Sequence, residues 1–425
     1  MTNESRTGAA RRTPVAGPTL SLKERDRRWA GLRHRMRERK LDAIVVGSFQ
    51  GRERLEGYLI DDFLDSIVIL PVEVEPTVLT FAAARVSRVF ESERRGIEPW
   101  VRDFRIGFGG TRAAEILREK GLPNRRIGLV GFGPTAAGEA EGLLPVGFYR
   151  NLTAALAGVE VVDFTGDLTD FILLKSTEEI SLLRFAAEVT EQACLAMIDA
   201  SRPGTSEAEV LAEIMREIHR WGCDTRYPFL SLQSGPDNIS WGAPRWTLRA
   251  EPPRVLQRGD LVQAEIHTLY GGLEAQVQMC VALDPVDDDM RKCEGVARRS
   301  YEAGLGAIRP GIAFGEVLRA MELPFAESGC WAKTPLLHTT TFGPVGFTMI
   351  NREQLIGTRE EALELGVSPG NQKNEMLLRE GMALELEPNA CLGMKRVNIG
   401  GIVIVTASGA EELNLIPTRV HHRMV

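Results

Sequence analysis

The sequence predicts an α/β domain over residues 21–173 followed by an α+β domain over 174–425, behind a flexible tail of residues 1–20. Three observations carry this. Short apolar runs alternate with helical stretches through the first third of the chain. A long amphipathic helix opens near Thr177. Beyond about residue 229 the pattern turns to strands, one pair of which carries a row of polar side chains. A length of 425 residues favours two domains, and 44% hydrophobic residues supply their cores.

The first domain opens with a charged helix over about 23–40, whose apolar stripe is Leu32, Met36 and Leu41. Apolar runs at 43–46, 67–70, 77–80, 127–130 and 159–162 then read as strands. Gly131-Phe132-Gly133 follows one of them. It lacks the wider glycine fingerprint and its distal acid, so it reads as a turn rather than a phosphate cradle.

In the second domain, Leu182, Leu183, Ala186, Val189, Ala193, Leu195 and Ile198 recur at helical spacing until Ser201-Arg202-Pro203-Gly204 stops the helix. Thr177 starts it without a complete capping box, since Ile180 stands three residues on. Further helices are expected at about 206–220, 288–307 and 313–322, and strands at 382–387 and 400–406.

Composition excludes several classes. A formal charge of −7 does not suit a bulk nucleic-acid binder, and the arginines of the first helix read as a solvated face. No apolar run approaches the roughly 18 residues of a membrane helix, and no signal-like segment precedes residue 20, so a cytoplasmic chain is expected. Cysteines 194, 223, 280, 293, 330 and 391 form no CxxC pair, which suits buried thiols in a reducing compartment.

The hairpin is the chemically informative segment. Strand 261–268 meets 273–283 across Tyr270-Gly271-Gly272. Alternation puts Gln263, Glu265 and His267 on one face, with Gln276 and Gln278 on one face of the return strand. A turn centred between Tyr270 and Gly271 would set His267 opposite Glu274 and Glu265 opposite Gln276, and a bulge would shift that register. A His267–Glu274 pair would raise the basicity of the imidazole and make it a candidate general base. Glu385 and Glu387 also share a strand face, where neighbouring carboxylates can share a proton or hold a cation. Bland readings stand beside these: a solvated sheet face, a partnered core histidine at His338, and an exposed tail at His421 and His422.

Several segments together resemble the creatinase, prolidase and methionine aminopeptidase superfamily. They are 174–179 (Leu-Lys-Ser-Thr-Glu-Glu), Ser234-Gly235-Pro236, Gly259-Asp260-Leu261-Val262, Glu380-Gly381-Met382, Glu387-Pro388 and Val403-Ile404-Val405-Thr406. The resemblance covers about 170–420 and implies the pita-bread fold, with a smaller α/β domain before it. It also implies a homodimer acting on a small molecule. Family peptidases hold two metal ions with two aspartates, one histidine and two glutamates. By position these become Glu265, Gln276, His338, Glu387 and Gly400, while two further family histidines fall near Trp241-Gly242 and at Val345.

A dimetal site needs several anionic donors to offset two dications, so replacements by glutamine and glycine point away from a metal pair. Expected instead is creatinase-like hydrolysis of a non-peptide C–N bond in a small polar nitrogen compound, without a cofactor. His267 would be the base, oriented by Glu274 or Glu265. Glu385 and Glu387 would meet a substrate cation, Gln276 and Gln278 would orient amide-like atoms, and His338 would assist. Trp241 would cover the substrate, and Arg245, flanked by Trp241 and Trp246, would clamp a carboxylate. Three alternatives stay open. One is a lyase or hydrolase with one zinc or iron ion on Glu265, His267, His338 and Glu387; the others are a dinuclear Xaa-Pro metallopeptidase and an inactive binding protein.

Overall fold

A computed structural model describes residues 11–47, 54–63, 65–133, 142–225, 230–237, 239–333, 335–340, 345–346 and 374–424. The chain forms two compact units, one of Thr19–Leu173 and one that joins the residues up to Pro18 to those from Leu174 onward.

The N-terminal unit is built on strands β1 (Ala43–Gly47), β2 (Ile67–Pro71), β3 (Thr77–Thr80), β4 (Asp103–Ile106), β5 (Arg126–Leu129) and β6 (Glu160–Asp163). They form one mixed sheet in the order β4-β3-β2-β1-β5-β6. Its helices are α1 (Leu22–Glu38), α2 (Leu55–Ile60), α3 (Ala83–Arg94), α4 (Gly110–Lys120), α5 (Val146–Ala155) and α6 (Thr165–Ile172). Strand alternation divides β1 between two apolar cores. Ile44 and Val46 pack with Trp29, Leu32 and Met36 of α1, while Ala43 and Val45 pack with Ile116, Leu117 and Leu152 of α4 and α5. Helices therefore cover both faces, as apolar runs without alternation require.

The C-terminal unit opens with α7 (Thr177–Ala200) and α8 (Glu207–Arg220). Ser176 and Glu179 form a reciprocal capping box on α7, and Ser206 with Glu209 repeats it on α8. Counting the box from Thr177 misses it by one residue. The remaining elements are β7 (Ser231–Gly235), α9 (Arg245–Leu248), β8 (Leu261–Tyr270), β9 (Leu273–Asp284), α10 (Asp288–Ala307), α11 (Phe314–Ser328), β10 (Trp331–Lys333), β11 (Leu337–Thr339), β12 (Val345–Gly346), β13 (Ala383–Leu386), β14 (Asn389–Leu392), β15 (Lys395–Asn398), β16 (Gly400–Thr406), β17 (Gly409–Glu412) and β18 (Val420–Met424).

A large curved sheet runs β12-β11-β13-β16-β9-β8-β7, and a separate small sheet runs β10-β14-β15. One face of β8 and β9 gives Val262, Ala264, Ile266, Val277, Met279 and Val281 to a core shared with α7 and α8. The opposite face is left to the polar residues.

Two expectations are corrected here. His421 and His422 are not a loose tail. They lie on β18, which runs parallel to β9, and His422 contacts Asp284 and Glu294 at 3.1 Å each. From Arg11 onward the segment expected to be flexible is held against the C-terminal unit. Arg12 pairs with Glu188 at 2.6 Å and Glu191 at 3.3 Å, and Arg11 lies 3.5 Å from Glu217. Among the described residues no helix is long and apolar enough to cross a membrane.

Candidate active site

The polar face is set by the β8–β9 hairpin, whose register differs from the expected one. The turn is Gly271-Gly272, both at positive φ (55° and 76°), so Tyr270 faces Leu273 across a two-residue loop. A turn through Tyr270 would have forced a bulky residue into that left-handed region, so the glycine pair moves the centre by one residue. His267 therefore faces Gln276, Glu265 faces Gln278, and Glu274 faces Leu269. The two expected pairings are displaced by two residues, which preserves the face because side chains alternate with period two. The His267–Glu274 contact survives as a diagonal pair, with Nδ1 donating to Oε1 at 3.1 Å.

Both groups are buried, and Nε2 of His267 has no hydrogen-bond partner among the described residues. Its nearest carboxylate there is Glu265, 3.9 Å from Oε2. Burial pulls the imidazole down, but the carboxylates of Glu274 and Glu265 outweigh it and lift its pKa to about 9. The expected rise in basicity overshoots: at neutral pH this ring carries a proton, and it becomes a base only as the pH approaches that value.

Glu265 accepts from Asn398 Nδ2 at 3.1 Å and from the indole N–H of Trp241, while its own N–H donates to Ser231 Oγ at 2.9 Å. Trp241 is thus brought to the site by one edge of an otherwise half-exposed ring. Glu387, just past β13, accepts from Gln278 Nε2 at 2.5 Å and from Gln276 Nε2 at 3.4 Å, and His338 Nε2 lies 3.4 Å from its other oxygen. The amides expected to meet substrate hold this carboxylate through their N–H groups, and their Oε1 atoms are unpartnered among the described residues. Glu385 faces His338 in the β11–β13 ladder, fully buried, and neither of its oxygens has a hydrogen-bond partner among the described residues. Burial first, then Glu387, Glu274 and Glu265, push its carboxyl well above the ordinary range, which favours its neutral acid form.

Arg245 does not reach this cluster. Its side chain lies on α9, mostly exposed and paired with Glu251 at 2.8 Å, and Trp246 packs against the apolar core beneath α7 and α8. A helical turn at Pro244 redirects both residues, and the loop's composition gave no sign of it. Two residues missed from sequence are Asn398 on Glu265 and Asn389, whose Nδ2 donates to the Glu387 carbonyl at 3.2 Å. Their signal was available: both end a symmetric ten-residue hairpin, 389–398, folded at Gly393.

The metal sites of the resembled family do not fit these residues. At Gly400 an added Cβ would lie 2.1 Å from the Leu386 carbonyl and 2.9 Å from Gln278 Oε1, so a carboxylate there requires the backbone to move. At Glu387 one carboxylate oxygen is already taken by two amide N–H donors. Of the single-metal alternative, Glu265 lies beside His267, and His338 beside Glu387. Among the described residues, however, no three His, Cys, Asp or Glu side chains are placed to hold an ion. Val345 pairs with His338 through the backbone, and its side chain lies outside the described residues.

Comparison with known proteins agrees with this architecture. Residues 28–171 match the creatinase/prolidase N-terminal domain, and residues 181–407 match metallopeptidase family M24. The creatinase of a Bacillus species is 24% identical over 422 residues, covering 96% of this chain and 94% of that protein. Among solved structures, the prolidase of Pyrococcus horikoshii covers 94% of this chain and all of its own, with a TM-score of 0.70 and 17% identity. The dipeptidase PepE of Mycobacterium ulcerans covers 96% and 100%, with a TM-score of 0.70 and 20% identity. With an α/β domain in front of a pita-bread domain, and more than half of its length matched by one family, the chain belongs to metallopeptidase family M24.

Proposed function

We propose that this protein hydrolyses a non-peptide C–N bond in a small polar nitrogen compound, in the manner of a creatinase and without a metal pair. One observation carries the reading. Of the positions where a dimetal peptidase needs anionic donors, 276 is a glutamine whose amide donates to Glu387, and 400 is a glycine with no room for a side chain.

In this scheme Nε2 of His267 takes a proton from water, with Glu274 orienting the ring through Nδ1. The hydroxide oxygen bonds to the carbon, the C–N bond breaks, and the nitrogen takes a proton from neutral Glu385. The amide Oε1 atoms of Gln276 and Gln278 accept N–H groups of the substrate, as does Glu387. Because the His267 pKa stands at about 9, the base form grows as pH rises, and kcat/KM should climb toward that pH. A cytoplasmic homodimer is part of the same reading, supported by the six free, buried cysteines and by kinship to creatinase.

Kinship alone favours a second reading, a dinuclear Xaa-Pro metallopeptidase. The matched structures include an Xaa-Pro dipeptidase of Bacillus anthracis and an X-Pro aminopeptidase of Thermotoga maritima. One experiment separates the two: metal analysis of protein purified without added metal, with a mass-spectrometric screen of creatine-like, ectoine-like, betaine-like and Xaa-Pro compounds, with and without chelator. Chelator-resistant turnover of a non-peptide compound supports the first reading. Two equivalents of metal per chain with chelator-sensitive Xaa-Pro cleavage replaces it with the second.

A further inference from the structure

The polar cluster is flanked by the small sheet β10-β14-β15, which carries charge of the opposite sign. Register aligns Lys333, Asn389 and Asn398 in one row across the three strands, and Trp331, Cys391 and Arg396 in the next. The rows are two residues apart on every strand, so all six side chains share one face. That face is tied to the catalytic cluster at two points: Asn398 donates to Glu265 and Asn389 to the Glu387 carbonyl.

Arg396 is 2% exposed, yet it forms no ion pair among the described residues. Its Nη1 donates to Asn389 Oδ1 at 3.0 Å, and its Nε is buried with no partner among the described residues. Lys333 is partly buried and donates to the Ile239 carbonyl, in the loop that carries Trp241. Asn389 faces Lys333 across the strands and accepts from Arg396, so both cations flank one side chain, and burial, with Arg396 as the next cause, pulls the Lys333 pKa down to about 8. Glu265 is the carboxylate whose field reaches Lys333. Arg396 is thus a buried cation with no ion pair among the described residues, an arrangement that is costly unless an anion completes it.

We propose that Arg396 and Lys333 form an anion subsite that holds the carboxylate of the substrate. The polar cluster carries Glu274, Glu385 and Glu387, so the substrate class is zwitterionic: a carboxylate at Arg396 and Lys333, and a nitrogen-bearing group facing the glutamates. The planar guanidinium offers a fork of N–H donors matched to a carboxylate, and Lys333 adds a point charge. This assignment rests on the hydrolytic reading for the identity of the pocket. It moves the carboxylate clamp from exposed Arg245 to a buried pair.

The test uses the intact chain and the simplest probes, acetate against uncharged acetamide, followed by ligand-observed NMR. Expected is saturable acetate binding with a millimolar dissociation constant, no competition by acetamide, and at least about tenfold weaker binding in Lys333→Met and in Arg396→Met. Lys333 is the safer variant because it is only partly buried; circular dichroism establishes that each variant is folded. Acetate binding is read without turnover, so a failed hydrolytic mechanism and a failed anion subsite give different results. No saturable acetate binding, or equal binding by folded Lys333→Met, overturns the proposal.

Discussion

β1 and β8 are both central strands with nearly every side chain out of water, and they use that burial in opposite ways. β1 buries apolar side chains on both faces, each face in its own core. β8 sends Val262, Ala264 and Ile266 into a core and buries Gln263, Glu265 and His267 on the other face. An unpaired buried polar group costs about 1–3 kcal/mol in proteins, so Nε2 of His267, buried without a partner among the described residues, weakens the fold unless a ligand meets it. Solvent exposure does not distinguish these strands; hydrogen-bond satisfaction does.

The largest expected effect is on the polar face. His267→Ala should lower kcat/KM by about 10²–10⁴, the usual contribution of a positioned general base, while thermal unfolding changes little. Unchanged turnover on a substrate found in the panel would remove His267 from the mechanism. In the N-terminal sheet the sensitivities reverse: Ile69→Ala, at a fully buried position, should cost about 2–5 kcal/mol in denaturant unfolding. Acetate binding by the folded protein should stay the same.

A smaller effect of opposite sign is expected at Glu385. Glu385→Leu removes buried oxygens that lack partners among the described residues, and should raise stability by about 1–3 kcal/mol while abolishing proton donation to the leaving nitrogen. A destabilised variant would mean that the carboxyl is satisfied in the resting protein.

The smallest effect is in the pH dependence. In the N-terminal unit burial raises the Asp103 carboxyl, but hydrogen bonds from Arg105, Thr77 and Lys120 outweigh it and bring its pKa to about 2. Its folded pKa is depressed, so its stabilisation is present above the ordinary 3.8 and is lost as pH falls through about 2. Glu385 has a raised pKa, so its stabilisation is present below the ordinary 4.5 and is lost as pH rises above it. Asp103→Asn should therefore flatten the acid limb of the stability profile, and Glu385→Gln should flatten the neutral one. Identical profiles for both variants and the parent would refute the contrast.

Legibility in the sequence followed the same divide. The runs at 43–46, 67–70 and 77–80 became strands because contiguous β-branched and aliphatic residues have few other ways to be buried. Alternation along 263–267 placed the polar face correctly, since a period-two pattern survives an error in register. Register itself was not legible from Tyr270 onward, because it depends on which two of three adjacent turn residues take positive φ. β18 was missed because its partner, β9, lies more than a hundred residues earlier, and a parallel pairing leaves no local mark. Lys333 and Arg396 were passed over for a related reason. Each looks like an ordinary surface cation until three short strands align it with its neighbours.

The ion pairs of Arg11 and Arg12 bear on how the molecule can be divided. Residues that precede the α/β domain belong structurally to the unit that follows it, so the latter is discontinuous in sequence and the α/β domain is threaded between its pieces. A fragment cut at Leu174 would look like a complete domain by alignment, yet would lack the arm. Glu217, whose side chain is fully buried, would lose its contact with Arg11 while keeping Arg220, and Glu191 would lose Arg12. A fragment that joins residues 11–18 through a linker to Leu174 keeps both partners of each contact and is the one to make when the C-terminal unit is wanted alone.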